Sequence, residues 1–286
     1  MSQRVIVAIA ILGFAGGVRA DATPTKFPPV IAVKSVTGPP RAGTTAPPPW
    51  EIVTRQPSSH WCQDGTGETL AIALAAPAAL DAVVVQLKVD AYHENAIKAI
   101  EVTAGDRVRT GKLKWKPDQI EVEIGGAPVS NILVKIAAVT KGESDITCVE
   151  KITLVTTPAS AVVYGVDAKA AAALAPDVQA IRDALRACDK KLLARRLAFP
   201  FSIAHHLDLN DVDHRYKRVT SFENAAAVAN ACKTKELADA TKALELQFVG
   251  IQATAAGKID LLENTLFYVI ELDGEHWKLR AIQDPL

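Results

Sequence analysis

The sequence has no net charge to spend on partners: 32 lysines and arginines are matched by 32 aspartates and glutamates. Without a basic excess nothing draws the chain to nucleic acid or to an anionic lipid surface, and neither is expected as a partner. Beyond its first twenty residues it lacks any apolar run near the roughly 20 residues that span a bilayer core, so no membrane insertion is expected after that point. Its four cysteines form no CxxC pair, which argues against a dithiol redox centre, and none stands near the N-terminus to take a lipid. HExxH and His-x-His are absent, as is a glycine-rich turn ending in Lys-Ser/Thr. No metal, cofactor or catalytic set is therefore expected.

What is present begins with an export signal. Arg4 precedes an uncharged run of about 14 residues, Val5 to Val18, and Val18-Arg19-Ala20 occupies the positions a signal peptidase reads. Cleavage after Ala20 removes Arg4 and Arg19 and leaves 30 basic against 32 acidic residues. The expected location is the periplasm or the extracellular space. Four cysteines in an exported chain read as disulfides before metal or catalysis. Three connectivities exist, and the position of the cysteines in two halves favours Cys62 with Cys148 and Cys188 with Cys232.

Composition divides the chain further. Residues 21–57 hold nine of the sixteen prolines and show no hydrophobic period, which predicts an extended, disordered tether. From 58 to 157 come short β-rich runs such as "AVVVQLKV", "QIEVEI" and "NILVKIAAV", punctuated by Pro77 and by glycines, the pattern of an all-β sandwich. Residues 158–173 read as a second linker. In 174–286 the period changes: Val178, Ile181, Leu185, Cys188 and Leu192 mark one face of a helix opened by Pro176-Asp177. Ser221 and Thr234 are candidate caps for two more helices. Strands follow, "LQFVGIQAT", "KIDLL", "TLFYVIEL" and "HWKLRAI", giving an α+β order with three helices ahead of a curved antiparallel sheet.

In the first region Trp61-Cys62, Gly65-x-Gly67-Glu68, the loop "YHEN" with Asn95, and Asp145-x-x-Cys148 occur in that order. This set resembles the discoidin-like (galactose-binding-like, jelly-roll) glycan-binding domain of NADase-type toxins, although Val89 to Ala91 depart from the family pattern, which carries a glycine there. The resemblance implies a β-sandwich, pairs Cys62 with Cys148, and nominates Trp61, Glu68, Tyr92, His93, Asn95 and Asp145 as ligand-binding residues. An aromatic face with carboxylate and amide groups suits polyol recognition. The same residues suit a structural role, with Trp61 covering the disulfide and Glu68 and Asp145 closing loops.

The second region, with "LRACDKKLLARRLAFPF", "VTSFENAAA" and "HWKLRAI", resembles the nuclear-transport-factor-two-like (SnoaL-like) superfamily of α+β cones. That superfamily holds isomerases and dehydratases beside inert and dimerising modules, so membership assigns no chemistry. The stretch "HHLDLNDVDHRY" gathers His205, His206, Asp208, Asp211, Asp213 and His214 as candidate metal ligands, but its spacing fits neither zinc nor a calcium loop, and a solvated hairpin tip is the better reading. Asp260, Glu271 and His206 are the groups available for acid–base work, and His276 is expected on the surface. Two functions follow: an exported, non-enzymatic protein that binds a glycan or envelope component and whose C-terminal domain adds dimerisation or a small apolar pocket, or an isomerase, dehydratase or hydrolase acting on a small apolar substrate in that domain.

Overall fold

The computed structural model describes residues 27–283 except 41, 47, 55–59, 88–94, 114–117, 206–217, 233, 235–236, 239–249 and 264–265. Alternating burial organises its first half. In strands β8 (Pro128–Thr140) and β5 (Ala96–Ala104) the residues Val129, Ile132, Val134 and Ile136, and Ile97, Ile100, Val102 and Ala104, turn inward and are buried. These strands belong to a six-stranded sheet in the order β10 (Ala161–Tyr164), β1 (Val30–Thr37), β3 (Thr69–Ala79), β8, β5 and β6 (Arg107–Lys112). A four-stranded sheet, β2 (Trp61–Asp64), β9 (Ile146–Val155), β4 (Ala82–Leu87) and β7 (Gln119–Glu123), packs against it, and the core lies between the two. The region is a β-sandwich. Pro77, read from sequence as a turn, instead sits inside β3 where the register with β8 slips, a place that needs no donated hydrogen bond.

Both expected linkers contain structure. Within 21–57, β1 pairs antiparallel with β3, and Ile52 and Val53 of a short 3-10 turn (Trp50–Val53) join the sandwich core. Within 158–173, β10 pairs parallel with β1, Val30 opposite Ala161 through Val33 opposite Tyr164. The proline-rich composition misleads here because the prolines flank β1 and leave "VIAVKSVT" free to pair.

The second half has a six-stranded sheet in the order β12 (Arg218–Phe222), β11 (Leu197–His205), β16 (His276–Gln283), β15 (Leu266–Asp273), β14 (Lys258–Glu263) and β13 (Gly250–Ala255). It is mixed, since β11 and β16 run parallel where a wholly antiparallel sheet was expected. Helix α1 (Ala168–Ala187) starts eight residues before Pro176, because the Asp167 side chain accepts from Ala170 N at 2.7 Å and an alanine-rich run follows. Pro176 lies inside it. The helix stops at Cys188, held at φ 52°, and α2 (Lys190–Arg196) begins afresh from Asp189, so Leu192 falls off the expected face and is 40% exposed. Helix α3 (Ala225–Ala231) is capped by Asn224, not Ser221, which belongs to β12. Thr234 Oγ1 accepts from Leu237 N, and most of the third expected helix lies outside the described residues.

Trp277 anchors α1 and α2 to this sheet. Its Nε1 donates to Ala170 O and its backbone N to Asp177 Oδ2 at 2.9 Å, while Asp177 Oδ1 also takes Arg196 Nη1 at 2.6 Å. Trp277, Tyr268, Phe201, Leu261, Leu279 and Ile282 fill the space between sheet and helices. The two disulfides are Cys62–Cys148 and Cys188–Cys232, with sequence separations of 86 and 44, and closing loops that long stabilises by about 4 to 5 kcal/mol each in the chain-entropy model. Among the described residues no helix is long and apolar enough to cross a membrane. Disulfides and the lack of such a helix are consistent with an exported protein.

The halves meet through β10. Gly257 N, in the β13–β14 turn, donates to Tyr164 O at 3.0 Å, and Gly165 N donates to Val33 O at 2.9 Å. Trp50 stacks on Tyr164 with ring centroids 4.5 Å apart. The apolar cluster under the helices continues into Ala32 and Val163, so no free tether separates the two regions.

Candidate functional site at the loop end of the sandwich

Two loops and the start of β5 meet at one end of the sandwich, and Asn95 with Thr147 holds them together. Asn95 is 6% exposed; its Nδ2 donates to Thr147 Oγ1 at 3.3 Å, its Oδ1 accepts from Gly142 N at 2.8 Å, and its own N donates to Ile146 O at 2.7 Å. Thr147 Oγ1 donates to Gly65 O at 3.0 Å, and Gly65 N donates to Asp145 O at 2.7 Å. The loop 65–68, the residue entering β5 and the loop 141–145 are thus tied by five hydrogen bonds, three through the side chains of Asn95 and Thr147 and two between backbone groups. Gly65 and Gly67, at φ 73° and 97°, let the first loop turn back so that Gly67 N reaches Ile136 O.

Trp61 does not belong to this surface. Its ring is fully buried in the sandwich core, Nε1 donates to Pro39 O at 3.4 Å, and its strand partner is Val149. A ring without an exposed face cannot stack on a sugar, so its place among the ligand-binding residues is corrected to a structural one. Asn95 is similarly spent on loop geometry. Glu68 is half-buried at the edge of the end surface, and Asp145 is exposed and paired with Lys141 at 3.4 Å across solvent. Such a pair is worth little and leaves the carboxylate available to a ligand. Tyr92 and His93 lie outside the described residues. Sequence reading passed over Thr147, whose signal was its position one residue before Cys148, opposite Gln63 on the β2 edge.

In the second half, β11 and β12 pair antiparallel with His205 opposite Arg218, as a hairpin around 206–217 requires; the stretch itself, with His206, Asp208, Asp211, Asp213 and His214, lies outside the described residues. Among the described residues no group of three His, Cys, Asp or Glu side chains could hold a metal. His276 is exposed, with Nδ1 at 3.4 Å from Asp177. Glu271 lies 4.0 Å from Arg280 Nε. Burial pushes the Asp260 carboxyl up, partly offset by Lys258. Ile259 and Leu261 flank it in the core, so by strand alternation Asp260 stands on the face of the sheet away from the helices.

No family model matches the chain, and no curated protein matches it. Several solved structures are similar to part of it. They include the arabinofuranosyltransferase AftD from mycobacteria, with 11% identity over 41% of this chain and 10% of that one and a TM-score of 0.35. GH89CBM32-4 produced by Clostridium perfringens shows 17% identity over 43% of this chain and 95% of that one, TM-score 0.33. GH31 CBM32-2 bound to GalNAc shows 12% identity over 44% of this chain and 98% of that one, TM-score 0.34. The chain spans about a tenth of the length of the arabinofuranosyltransferase and nearly all of the two carbohydrate-binding modules.

Proposed function

We propose that this chain is an exported binding protein whose β-sandwich takes a glycan or another cell-envelope component at its loop end. The observation that supports the reading is the Asn95–Thr147 bridge: it ties the loops 65–68 and 141–145 to the start of β5, beside the exposed side chains of Lys141 and Asp145 and the half-buried Glu68. Rigid loops bearing carboxylate and ammonium groups meet sugar hydroxyls with little ordering on binding. GalNAc, the ligand of one similar module, gives the class of compound to try first. The second region, read as a nuclear-transport-factor-two-like cone, contributes dimerisation. Cleavage after Ala20 delivers the mature chain outside the cytoplasm.

A glycan array probed with the disulfide-bonded protein tests this. Binding to a defined sugar set, lost when Glu68→Ala and Asp145→Ala are combined, is the expected result. An array with no signal above background, or a signal that the double variant leaves intact, refutes the site. Mass spectrometry of the exported protein should find its N-terminus at Asp21.

A further inference from the structure

Charge balance over the whole chain conceals a local excess. Residues 182–196, the end of α1 and all of α2, hold six basic residues against two acidic ones. Arg196 is occupied inside the fold, paired with the buried Asp177 at 2.6 Å, and Arg186 stands 3.8 Å from Asp183. The other acidic residue, Asp189, caps α2, its carboxylate accepting from Lys191 N and Leu192 N, both at 2.9 Å. Lys190, Lys191 and Arg195 are exposed and make no ion pair among the described residues.

Helix α2 is also built against the preferences of a helix that serves only the fold. The first turn of a helix disfavours cations, yet Lys190 and Lys191 open α2 and no acidic residue stands within that turn. Leu192 follows them and is 40% exposed, whereas Leu193 is the residue that α2 buries in the core. Helical spacing sets Lys191 and Arg195 one turn apart on the side opposite Leu193, with Leu192 beside them. Two cations against the dipole and a leucine in water gain the fold nothing. Departures of this kind, gathered on one exposed face, mark a surface kept for a partner.

We propose that this face of α2 docks on an anionic phospholipid surface, with Lys190, Lys191 and Arg195 against lipid phosphates and Leu192 reaching past them toward the acyl layer. Charge complementarity calls for an anionic partner. Leu192 selects a lipid surface over a soluble polyanion, because only the lipid backs its phosphates with hydrocarbon that a leucine can enter. Three cations and one leucine give weak, reversible adsorption that salt screens. Docking of this kind needs no spanning helix and makes no use of the loop end of the sandwich.

The test is co-sedimentation of the full disulfide-bonded chain at low ionic strength with vesicles of phosphatidylcholine, alone or mixed equally with phosphatidylglycerol. Binding to the mixed vesicles only is expected, with release at about 1 M salt, where the Debye length falls to about 3 Å. At about fivefold for each charge, Lys191→Gln with Arg195→Gln should weaken it about 25-fold. Lys34→Gln with Lys98→Gln removes the same charge from exposed positions on the sandwich and should leave binding unchanged. Leu192→Ala should weaken binding to vesicles but not any binding to dextran sulfate, a polyanion without hydrocarbon. Equal sedimentation with both vesicle types, none with either, or indifference to the Lys191 and Arg195 substitutions overturns the proposal. Vesicle binding unchanged by Leu192→Ala overturns it too, and makes the partner a soluble polyanion.

Discussion

Replacing Gly165 by alanine should separate conformational strain from the contact that joins the two halves. Gly165 has φ +67°, and an added Cβ would stand 2.6 Å from the Ala256 Cβ and 2.9 Å from its Cα. The left-handed backbone costs a Cβ-bearing residue about 1–2 kcal/mol. Relieving the overlap requires the β13–β14 turn to retreat, and with it the bond from Gly257 N to Tyr164 O at 3.0 Å. Overpacking of this kind costs about 1–3 kcal/mol more. Gly274→Ala is the control, since Gly274 has φ +64° with nothing within 4 Å and suffers the first cost alone. At about 2–4 °C per kcal/mol for a protein of this size, Gly165→Ala should lower Tm by about 4–20 °C and Gly274→Ala by about 2–8 °C. Calorimetry of the oxidised protein measures both, and a junction loosened on its own should also broaden or split the transition of Gly165→Ala. Equal melting temperatures for the two variants would refute the argument that the turn and β10 are locked together.

Trp61→Ala should destabilise by about 3–5 kcal/mol in chemical denaturation, because it empties a fully buried site; Trp61→Phe should keep whatever glycan affinity an array detects, since the ring does not face the ligand. Asn95→Ala removes both side-chain bonds of the loop bridge and should cost about 1–3 kcal/mol, with faster hydrogen exchange at Gly142 N as the local readout. Asp260→Asn should raise Tm at neutral pH. The folded-state pKa is raised by burial above the ordinary 3.8, so the unfolded chain gives up this proton first and stability falls as pH climbs from about 3.8 through the folded value. Below that window the carboxyl is protonated in both states and the asparagine variant should gain nothing, which a Tm series across pH checks.

Sequence revealed what depends on neighbours along the chain. The alternation in "NILVKIAAV" and "AVVVQL" marks β8 and β4 because a strand buried on one face must repeat every two residues. Pairing of the cysteines followed from their distribution, and each bridge lies in one half. What escaped depends on distant partners. β1 is an unremarkable eight residues between proline clusters, and its strand character rests on β3 and on β10, whose residues lie about 130 positions later. Pro176 stopped the reading of α1 because a proline ordinarily opens a helix or breaks it, yet the Asp167 cap and two turns of alanine carry the helix through. At the loop end, a tryptophan beside a cysteine reads alike whether it faces sugar or core. Only the bond from Trp61 Nε1 to Pro39 O and the ring's burial distinguish them.

Those same distant partners set where the sandwich really ends. Cutting the chain at 58 and 157 would remove Ile31, Val33, Val36, Ile52 and Val53 from the core and bare the β3 edge to solvent. At about 1.5–3 kcal/mol for each fully buried aliphatic side chain, the loss is roughly 7–15 kcal/mol. A domain typically has about 5–15 kcal/mol of stability in all, so the excised strands alone would not hold. β1 in turn leans on β10, and β10 is clasped by the β13–β14 turn through Tyr164 O. The chain segments that look like spacers are thus the strands by which one sheet hands its edge to the next half of the molecule. The loop end is consequently carried on a sandwich that the rest of the chain completes.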